Sequence, residues 1–535
     1  MKKLPIGIQS IRELLEEKQA YVDKTEYVLS LIRSGKHYFI SRPRRFGKSL
    51  FVNTLEEVFR GNKELFQGLA IYDSDYDWQR HPVLHFDFSL MAATENGEFK
   101  ASLREALIKR AKSDGLPLEG GSIQSLLSSL LEKLSEKNRV VVLVDEYDHA
   151  IINHLKRPET AEKNRDTLKD FFATLKALDK YLKFTFVTGV SKFTQVSLFS
   201  GPNHLKDITM DPKYAAMMGY TEGEIKTVFS DHIQAVAETK SKQLNRSIDE
   251  KFILKEIATW YNGYRFSREK ACVHNPFSTI NYLDGQEATA YWYATATPSF
   301  LIDELKKHPE SMVSLDGTTT TQEKLMDIGS FERIDIEALM YQTGYFTIRG
   351  YNPISKRYSV GLPNEEVRRA FIHSLIQNLA SITNLRSSEK SVKALEEHRP
   401  EPLFDEIKRG FSGFAYHVFS GAEERTYQGM LLGMLYGMGF EPLSEVATNR
   451  GRIDVVLELP KTTYILELKL DGSVGEALEQ IHKKDYYRSY TGKGKEIVVI
   501  GANFSSNERN VADWRGEVLT DEGEICGYLH PKTSR

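Results

Sequence analysis

The stretch Ser41-Arg42-Pro43-Arg44-Arg45-Phe46-Gly47-Lys48-Ser49 follows an apolar strand, residues 37–40, and precedes a run with helical periodicity. Gly-Lys-Ser at a strand-to-helix turn is typical of a phosphate-binding loop, because backbone N–H groups and the helix N-terminus attract phosphate oxygens. Lys48 would reach the β- and γ-phosphates of a nucleotide, and the Ser49 hydroxyl would help to hold Mg²⁺. The usual pattern has a glycine five residues before Gly47, where this chain has Arg42.

A second apolar run, residues 140–146, supplies the partner that such a loop needs. It is continuous, Val-Val-Val-Leu-Val, and ends in Asp145 and Glu146, as in a strand that is buried on both faces of a parallel sheet. The two acids would emerge at the carboxyl edge of the sheet, where ligands bind in α/β folds. Asp145 would complete the Mg²⁺ shell through water, and Glu146 is the candidate base for a hydrolytic water. The two motifs in this order predict binding of ATP or GTP.

Strands and helices alternate over residues 1–205, with further strands at 83–88 and 184–191, which predicts a doubly wound parallel sheet. Thr188 or Ser191 could sense the γ-phosphate or could cap the following turn. Residues 206–318 have helical periodicity with aromatic anchors and are expected to form a helical lid, from which Arg265 could reach a nucleotide. Residues 319–385 combine a helix with a basic-tipped hairpin, which predicts a winged-helix-like segment. A charged, proline-marked stretch, residues 386–402, is the candidate linker.

Near the C-terminus, residues 451–457 and 464–470 read as two strands with the spacing Asp-x12-Glu-x-Lys. Side chains alternate along a strand, so Glu467 and Lys469 share one face. A turn at residues 460–463 would bring Asp454 alongside Glu467. Two carboxylates and a lysine at one point suit a divalent metal and an activated water. The alternative is an edge hairpin with a surface ion pair.

This pattern resembles the PD-(D/E)XK nuclease superfamily. The resemblance implies that Asp454 and Glu467 hold Mg²⁺ or Mn²⁺, and that Lys469 positions or deprotonates the attacking water. Helical runs before and after the two strands agree with the superfamily's element order. Glu424, on the first run, could be a further metal ligand, and Gln480, on the second, could support the site or face a phosphate. Either residue could equally be a solvated helix residue. Residues 403–535 are therefore expected to form an α/β restriction-endonuclease-like domain.

The resemblance becomes more specific when distant stretches are combined, and it then covers nearly the whole chain. Together they resemble the bacterial AAA-ATPase-like family, whose members usually end in a PD-(D/E)XK domain. The arginine-rich loop is expected in that family, so the missing glycine is a family trait. The stretches that carry the resemblance are Tyr21-Val22-Asp23-Lys24-Thr25, residues 42–49, Val144-Asp145-Glu146-Tyr147-Asp148, Trp260-Tyr261-Asn262-Gly263-Tyr264 and Asn275-Pro276-Phe277-Ser278. The expected nucleotide-binding residues are Arg45, Phe46, Gly47, Lys48, Ser49 and Asp145.

Composition limits the function without choosing it. The chain has 535 residues, enough for two to four domains, and 71 Lys and Arg against 74 Asp and Glu give a net charge of −3. Contact with DNA must therefore come from local patches such as Lys483, Lys484, Arg488, Lys493 and Lys495, which could also be a solvated helix end. Two cysteines fit a reducing cytoplasm. The sequence predicts neither a signal peptide nor a membrane span, and it leaves self-association open.

The sequence-based hypothesis is a nucleotide-regulated nuclease that uses ATP and Mg²⁺. Its substrate would be nucleic acid, with DNA expected before RNA, and its role defence or repair. The rival hypothesis is an ATPase signalling switch whose C-terminal domain binds a nucleic acid or a protein without cutting it. Intact Asp454, Glu467 and Lys469 favour the nuclease.

Overall fold

The structure is a computed structural model. It describes residues 1–91, 99–116, 120–155, 157–192, 205–293, 301, 318–329, 334–380, 388–414, 419, 422–448 and 450–531. The chain divides into two compact units. The first is Met1–Ala296 with Thr319–Glu366, and the second is Thr297–Thr318 with Val367–Arg535.

The strands of the described residues belong to three sheets. They are β1 His37–Ser41, β2 Val83–Asp87, β3 Val140–Asp145, β4 Leu182–Gly189, β5 Lys206–Asp207, β6 Thr318–Thr320, β7 Thr347–Asn352, β8 Arg357–Gly361, β9 Pro442–Ala447, β10 Arg452–Glu458, β11 Thr462–Leu470, β12 Glu496–Ser505, β13 Asn510–Leu519 and β14 Ile525–Leu529.

The α-helices of the described residues are α1 Ile11–Glu16, α2 Thr25–Ser34, α3 Lys48–Phe59, α4 Phe88–Met91, α5 Phe99–Ser113, α6 Ile123–Ser135, α7 His149–Ile152, α8 Pro158–Ala177, α9 Glu222–Val228, α10 Ser230–Leu244, α11 Glu250–Tyr261, α12 Pro276–Gly285, α13 Gln322–Leu325, α14 Ile336–Thr343, α15 Glu365–Ala380, α16 Ser388–Glu396, α17 Glu401–Ser412, α18 Glu424–Gly437 and α19 Val474–Lys483. None of these helices combines the length and the apolar character needed to cross a bilayer.

The first unit is built on a five-stranded parallel sheet with the order β2-β3-β4-β1-β5. Every residue of β3 is buried, as expected for a strand with both faces covered. The doubly wound P-loop-type sheet predicted from the sequence is confirmed. Because β4 lies between β1 and β3, its carboxyl end lies between the phosphate loop that follows β1 and the acids that follow β3.

Helices α9 to α12 confirm the helical periodicity read from residues 206–318, although the same range also contributes β5 to the parallel sheet. Their apolar side chains form a second core, which includes Phe229, Ile233, Ile257 and Tyr261. Thr221 caps α9 in a reciprocal arrangement with its third residue, which fixes where that helix begins.

In the middle of the chain, α14 precedes an antiparallel hairpin of β7 and β8, and α15 follows it. This is the helix-plus-hairpin order expected for residues 319–385. The candidate linker differs from expectation, because α16 occupies most of it and α17 begins at its end. Ala394 and Leu395 are buried, so this charged stretch forms an amphipathic helix that packs against the protein instead of an extended linker. Residues 386 and 387 lie outside the described residues.

Glu366, near the start of α15, is fully buried. The Ser278 hydroxyl lies 2.8 and 3.0 Å from its two carboxylate oxygens, and the backbone N–H of Trp292 donates to Oε1 at 2.6 Å. Burial raises the pKa of Glu366 to about 8. The indole N–H of Trp292 donates to the carbonyl of Arg44 at 3.0 Å, so the same residue also supports the phosphate loop.

Because Glu366 is buried, we expect the free energy of unfolding of the first unit to depend on pH. An unfolded glutamate has a pKa of about 4.3, so between that value and about 8 the folded chain binds more protons than the unfolded chain. The stability of the first unit should therefore fall as pH rises through this window, by at most about 1.4 kcal/mol per pH unit from this group. Glu366→Gln should flatten the decline, whereas Glu162→Gln, on the exposed face of α8, should not. Melting temperatures from pH 5 to 9 test this, and parallel curves for wild type and Glu366→Gln would contradict it.

The second unit is built on a six-stranded sheet with the order β14-β13-β12-β11-β10-β9. Only β11 and β12 pair in parallel, so the sheet is mixed. Helices α18 and α19 pack against β11. The hairpin of β10 and β11 turns at residues 459–461. Helices α18 and α19 flank the acidic hairpin as expected, but a further strand, β9, lies between α18 and β10.

Candidate nucleotide and nuclease sites

The phosphate loop lies between β1 and the N-terminus of α3. Gly47 has φ 87, a left-handed conformation that glycine adopts without strain, and Arg45 has φ 67. The buried ammonium of Lys48 donates to the carbonyls of Arg42 and Pro43, both at 3.1 Å. Burial lowers the pKa of Lys48, while Glu146 and nearby acids oppose that shift. The lysine is therefore held inside the loop by weak neutral acceptors, which a phosphate could replace.

Arg42, which stands where a glycine is usual, is a structural residue. Its guanidinium donates to the carbonyls of Ser41 at 2.9 Å, Thr209 at 2.7 Å and Tyr214 at 3.3 Å, and lies 4.2 Å from the ring centroid of Phe266. Burial lowers its pKa to about 10. The guanidinium thus fastens the start of the loop to the chain that follows β5.

Aromatic residues of the helical region fix the rest of the loop. The ring of Phe46 is buried, with centroid distances of 4.8 Å to Tyr264 and 5.5 Å to Phe266. The guanidinium of Arg45 lies 5.0 Å from the ring centroid of Phe277. These side chains anchor the loop, so the contribution of Phe46 to nucleotide binding would come from its backbone.

The acids after β3 lie beside the neighbouring strand end. Asp145 is buried and accepts hydrogen bonds from the Thr188 hydroxyl and from the N–H of Glu146, the latter at 3.0 Å. Glu146 has φ 51, an unusual conformation for a non-glycine residue. Its Oε2 lies 3.1 Å from Nδ1 of His149, and this hydrogen bond is the main cause of its lowered pKa. Glu146 is therefore an ionised carboxylate, as a base requires.

Ser191 and Arg265, the two further candidates for nucleotide contact, form hydrogen bonds to other groups of the protein instead. The backbone N–H and the hydroxyl of Ser191 donate to the buried carboxylate of Asp148 at 2.7 and 2.6 Å. The guanidinium of Arg265 donates to the carbonyls of Ser267 at 3.0 Å and Glu269 at 2.6 Å. Both residues hold loops together, and the hydroxyl of Thr188 itself donates to Asp145.

A cavity of about 450 Å³ opens beside the phosphate loop. Lys48, Ser49, Glu146 and His149 are among its polar lining residues. The apolar lining, which sequence reasoning missed, includes Ile6, Ile8, Tyr21, Val22, Met217, Met218 and Ile280. A lining that combines polar and apolar groups suits the phosphates and the base of a nucleotide. The sequence contained one usable signal, since Tyr21 and Val22 belong to a stretch that resembles the family.

Glu146→Gln should retain ATP binding and slow ATP hydrolysis by about 10²- to 10⁴-fold, because the carboxylate is needed to orient or deprotonate water. His149→Ala should give a smaller loss of the same kind, since it removes the hydrogen bond to Glu146. Titration calorimetry and a phosphate-release assay would separate binding from turnover. Wild-type turnover in Glu146→Gln would exclude this residue as the base.

In the second unit, the predicted triad converges. Oδ2 of Asp454 accepts the N–H of Leu468 at 2.8 Å, which places it beside β11. Glu467 is buried, and its Oε1 accepts a hydrogen bond from the side-chain amide of Gln480 and lies 3.6 Å from Nζ of Lys469. The hairpin thus brings the two carboxylates and the lysine together, and α19 contributes the glutamine.

The two carboxylates form an electrostatically unfavourable pair in the absence of a cation. Burial and the charge of Asp454 raise the pKa of Glu467 to about 8, and burial raises that of Asp454 to about 6. Oε2 of Glu467 is buried without a hydrogen-bond partner among the described residues. Such a pair fits Mg²⁺, which binds through one or two carboxylates and keeps several waters. The described residues contain no cluster of three or more His, Cys, Asp or Glu arranged for a metal.

Helix α18 adds polar groups at the edge of this site. Oε2 of Glu424 accepts the N–H of Leu470 at 2.9 Å, which leaves Oε1 as its candidate metal ligand. Gln428, which sequence reasoning missed, donates to the carbonyl of Asp454 at 2.9 Å and to Oε1 of Glu445 at 3.3 Å. Its position four residues after Glu424 was the available signal, because residues at that spacing share a helix face.

The candidate basic patch is partly neutralised. Arg488 lies 3.4 Å from Asp485, and Lys495 donates to the carbonyl of Leu459 at 2.8 Å. The ammonium of Lys493 lies 4.7 Å from the ring centroid of Tyr490. Only part of the patch is therefore free to meet a nucleic acid.

Comparisons with known proteins concern the family of each part of the chain. A family model described as "Predicted AAA-ATPase" matches residues 5–199, and one described as "PD-(D/E)XK nuclease superfamily" matches residues 422–514. An "Uncharacterized protein in vnfD 5'region" of Azotobacter chroococcum mcd 1 is 34% identical over 536 residues, covering 97% of this chain and 99% of that protein. The ORC2 protein of Aeropyrum pernix, solved as ADPNP-ADP complexes, is 12% identical with a TM-score of 0.25, over 64% of this chain and 88% of that one. The family matches and the full-length relative give the assignment: the chain belongs to the AAA-ATPase-like family and carries a C-terminal domain of the PD-(D/E)XK nuclease superfamily.

Proposed function

We propose that this protein binds and hydrolyses ATP in its first unit and cleaves nucleic acid with Mg²⁺ in its second, in defence or repair. The observation that carries the nuclease is the pair of buried Glu467 and half-buried Asp454 beside Lys469, with one oxygen of Glu467 left without a hydrogen-bond partner among the described residues. A mere surface ion pair would not bury a carboxylate as completely as Glu467 is buried.

Asp454 and Glu467 would hold the metal, which when bound supplies an activated water and neutralises charge on the phosphate. Lys469 would position that water and help to remove its proton. Gln480 fixes the rotamer of Glu467 through the hydrogen bond to Oε1, so the unpartnered Oε2 is the oxygen that can bind the metal. Gln428 holds the backbone of Asp454 in place.

In the first unit, the cavity beside the loop would hold ATP. Lys48 would pair with the β- and γ-phosphates, Ser49 and Asp145 would hold Mg²⁺, and Glu146 would orient the attacking water. The apolar side chains that line the cavity would receive the base. We further propose that nucleotide state controls cleavage, which requires ATP to bind two conformations with different affinity.

The test is a cleavage assay on plasmid DNA and on RNA, with and without Mg²⁺, in ATP, ADP and a non-hydrolysable analogue. Cleavage that needs Mg²⁺ and differs among the nucleotides would support the proposal. Equal rates in all nucleotide states, and in Lys48→Ala, would leave an unregulated nuclease. Binding without cleavage under every condition would favour the non-cutting switch and overturn the nuclease.

A further inference from the structure

We infer that Lys484 is a substrate-binding residue of the nuclease site, whose ammonium binds a backbone phosphate of the nucleic acid beside the bond that is cut. The inference rests on the proposed nuclease function and deepens it, because it names a contact to the substrate that the acids and Lys469 do not provide.

The first observation is the position of Lys484 on its helix. Lys484 caps the C-terminus of α19, and its N–H donates to the carbonyl of Gln480 at 3.0 Å. Residues four apart lie on the same helix face. Because Gln480 reaches Glu467, Lys484 extends the same face one turn further.

The second observation is that the side chain is held in place. A Cβ atom at Gly451 would lie 3.1 Å from Cδ and 3.2 Å from Nζ of Lys484, so the lysine lies against the backbone of Gly451, three residues before Asp454. Nζ also lies 5.7 Å from the ring centroid of Tyr486. The absence of a side chain at residue 451 therefore makes the room that the lysine occupies.

The third observation is charge. Four of the neighbouring cations are engaged with acids: Lys469 with Glu467 at 3.6 Å, Arg450 with Asp485, Arg452 with Glu445 at 3.3 Å and Arg488 with Asp485 at 3.4 Å. Within the part of the chain that the structure describes, the ammonium of Lys484 has no ion pair within 4.0 Å and no hydrogen bond.

A held but unpaired cation beside metal-binding carboxylates suits an anion that arrives with the substrate. The phosphate of a nucleic acid backbone is that anion, and lysine binds phosphate as a point charge without reading the base. Lys484 should therefore contribute affinity and register but no sequence preference.

The experiment measures binding of fluorescent duplex and single-stranded oligonucleotides to the full chain in EDTA, where cleavage cannot occur. Lys484→Ala should weaken binding about tenfold and lower the slope of log affinity against log salt by about 0.7 to 0.9, the loss of one phosphate contact. Lys484→Gln, which keeps the packed stem, should behave in the same way, and Lys484→Arg should restore binding. In Mg²⁺, KM should rise more than kcat falls.

Lys461→Ala is the matched control, because Lys461 is an exposed lysine in the turn at the other end of the same hairpin. It removes the same charge and should leave affinity and salt slope unchanged. If Lys484→Ala and Lys484→Gln bind like Lys461→Ala while wild type binds and cleaves, the inference is wrong and the proposed function stands. If wild type neither binds nor cleaves nucleic acid, the proposed function fails and the inference fails with it.

Discussion

Asp454→Ala and Glu467→Ala are each expected to reduce Mg²⁺-dependent cleavage by at least about a thousandfold, since a catalytic metal supplies several kcal/mol and each 1.4 kcal/mol is about a factor of ten. Each variant removes one of the two carboxylates that β10 and β11 bring together, so the metal loses a protein ligand and is held less firmly in place. ATP affinity should not change, because nucleotide binding involves different residues of the first unit.

The matched control for these variants is Glu458→Ala, an exposed acid at the far end of β10 that should retain cleavage. Rates should be measured from single-turnover cleavage of a labelled duplex, with ATP binding followed by calorimetry on the same preparations. Cleavage by Asp454→Ala at more than a tenth of the wild-type rate would mean that the metal is held elsewhere. An equal loss in Glu458→Ala would point to damage of the sheet.

Lys48→Ala is expected to weaken ATP binding on the order of a hundredfold, because it removes charge-assisted hydrogen bonds to the phosphates. The loop should persist without the lysine, since Arg42 and the ring of Phe46 anchor it independently. ADP affinity should fall less than ATP affinity, because one of the two contacted phosphates is absent.

Calorimetric titration with ATP and ADP would measure both losses, with melting temperature as a check on folding. Lys133→Ala, an exposed lysine on α6, is the control of equal charge and should bind as wild type does. Unchanged ATP affinity in Lys48→Ala would refute the phosphate-loop assignment, whatever the state of the nuclease.

The parts of both sites that could be predicted from sequence are those set by local rules. Alternation along β10 and β11 placed Asp454, Glu467 and Lys469 on a common face, and a short turn joined the two strands. The apolar run before Asp145 fixed β3, and Gly47 fixed the turn into α3. In each case the residues that decide the geometry lie within a few positions of the residue that carries the chemistry.

The parts that could not be predicted depend on distant segments. The carbonyl acceptors of Arg42 lie 167 and 172 residues further along the chain, and no local pattern links them. The apolar lining of the cavity includes both Ile6 and Met217, which only the folded chain brings together. Helix α16 was missed because its charged residues resemble a linker, while its few apolar residues decide its packing.

The anchoring of Arg42 has a consequence for how this protein can be divided. A fragment that ends at residue 205, where the phosphate-binding motifs end, would lack Thr209, Tyr214 and Phe266. In such a fragment the Arg42 guanidinium would lack two of its carbonyl acceptors and the ring against which it packs. Phe46 would lack its aromatic neighbours. The smallest part of the chain able to form an ordered phosphate loop therefore has to continue beyond the motif-bearing region, at least through Phe277.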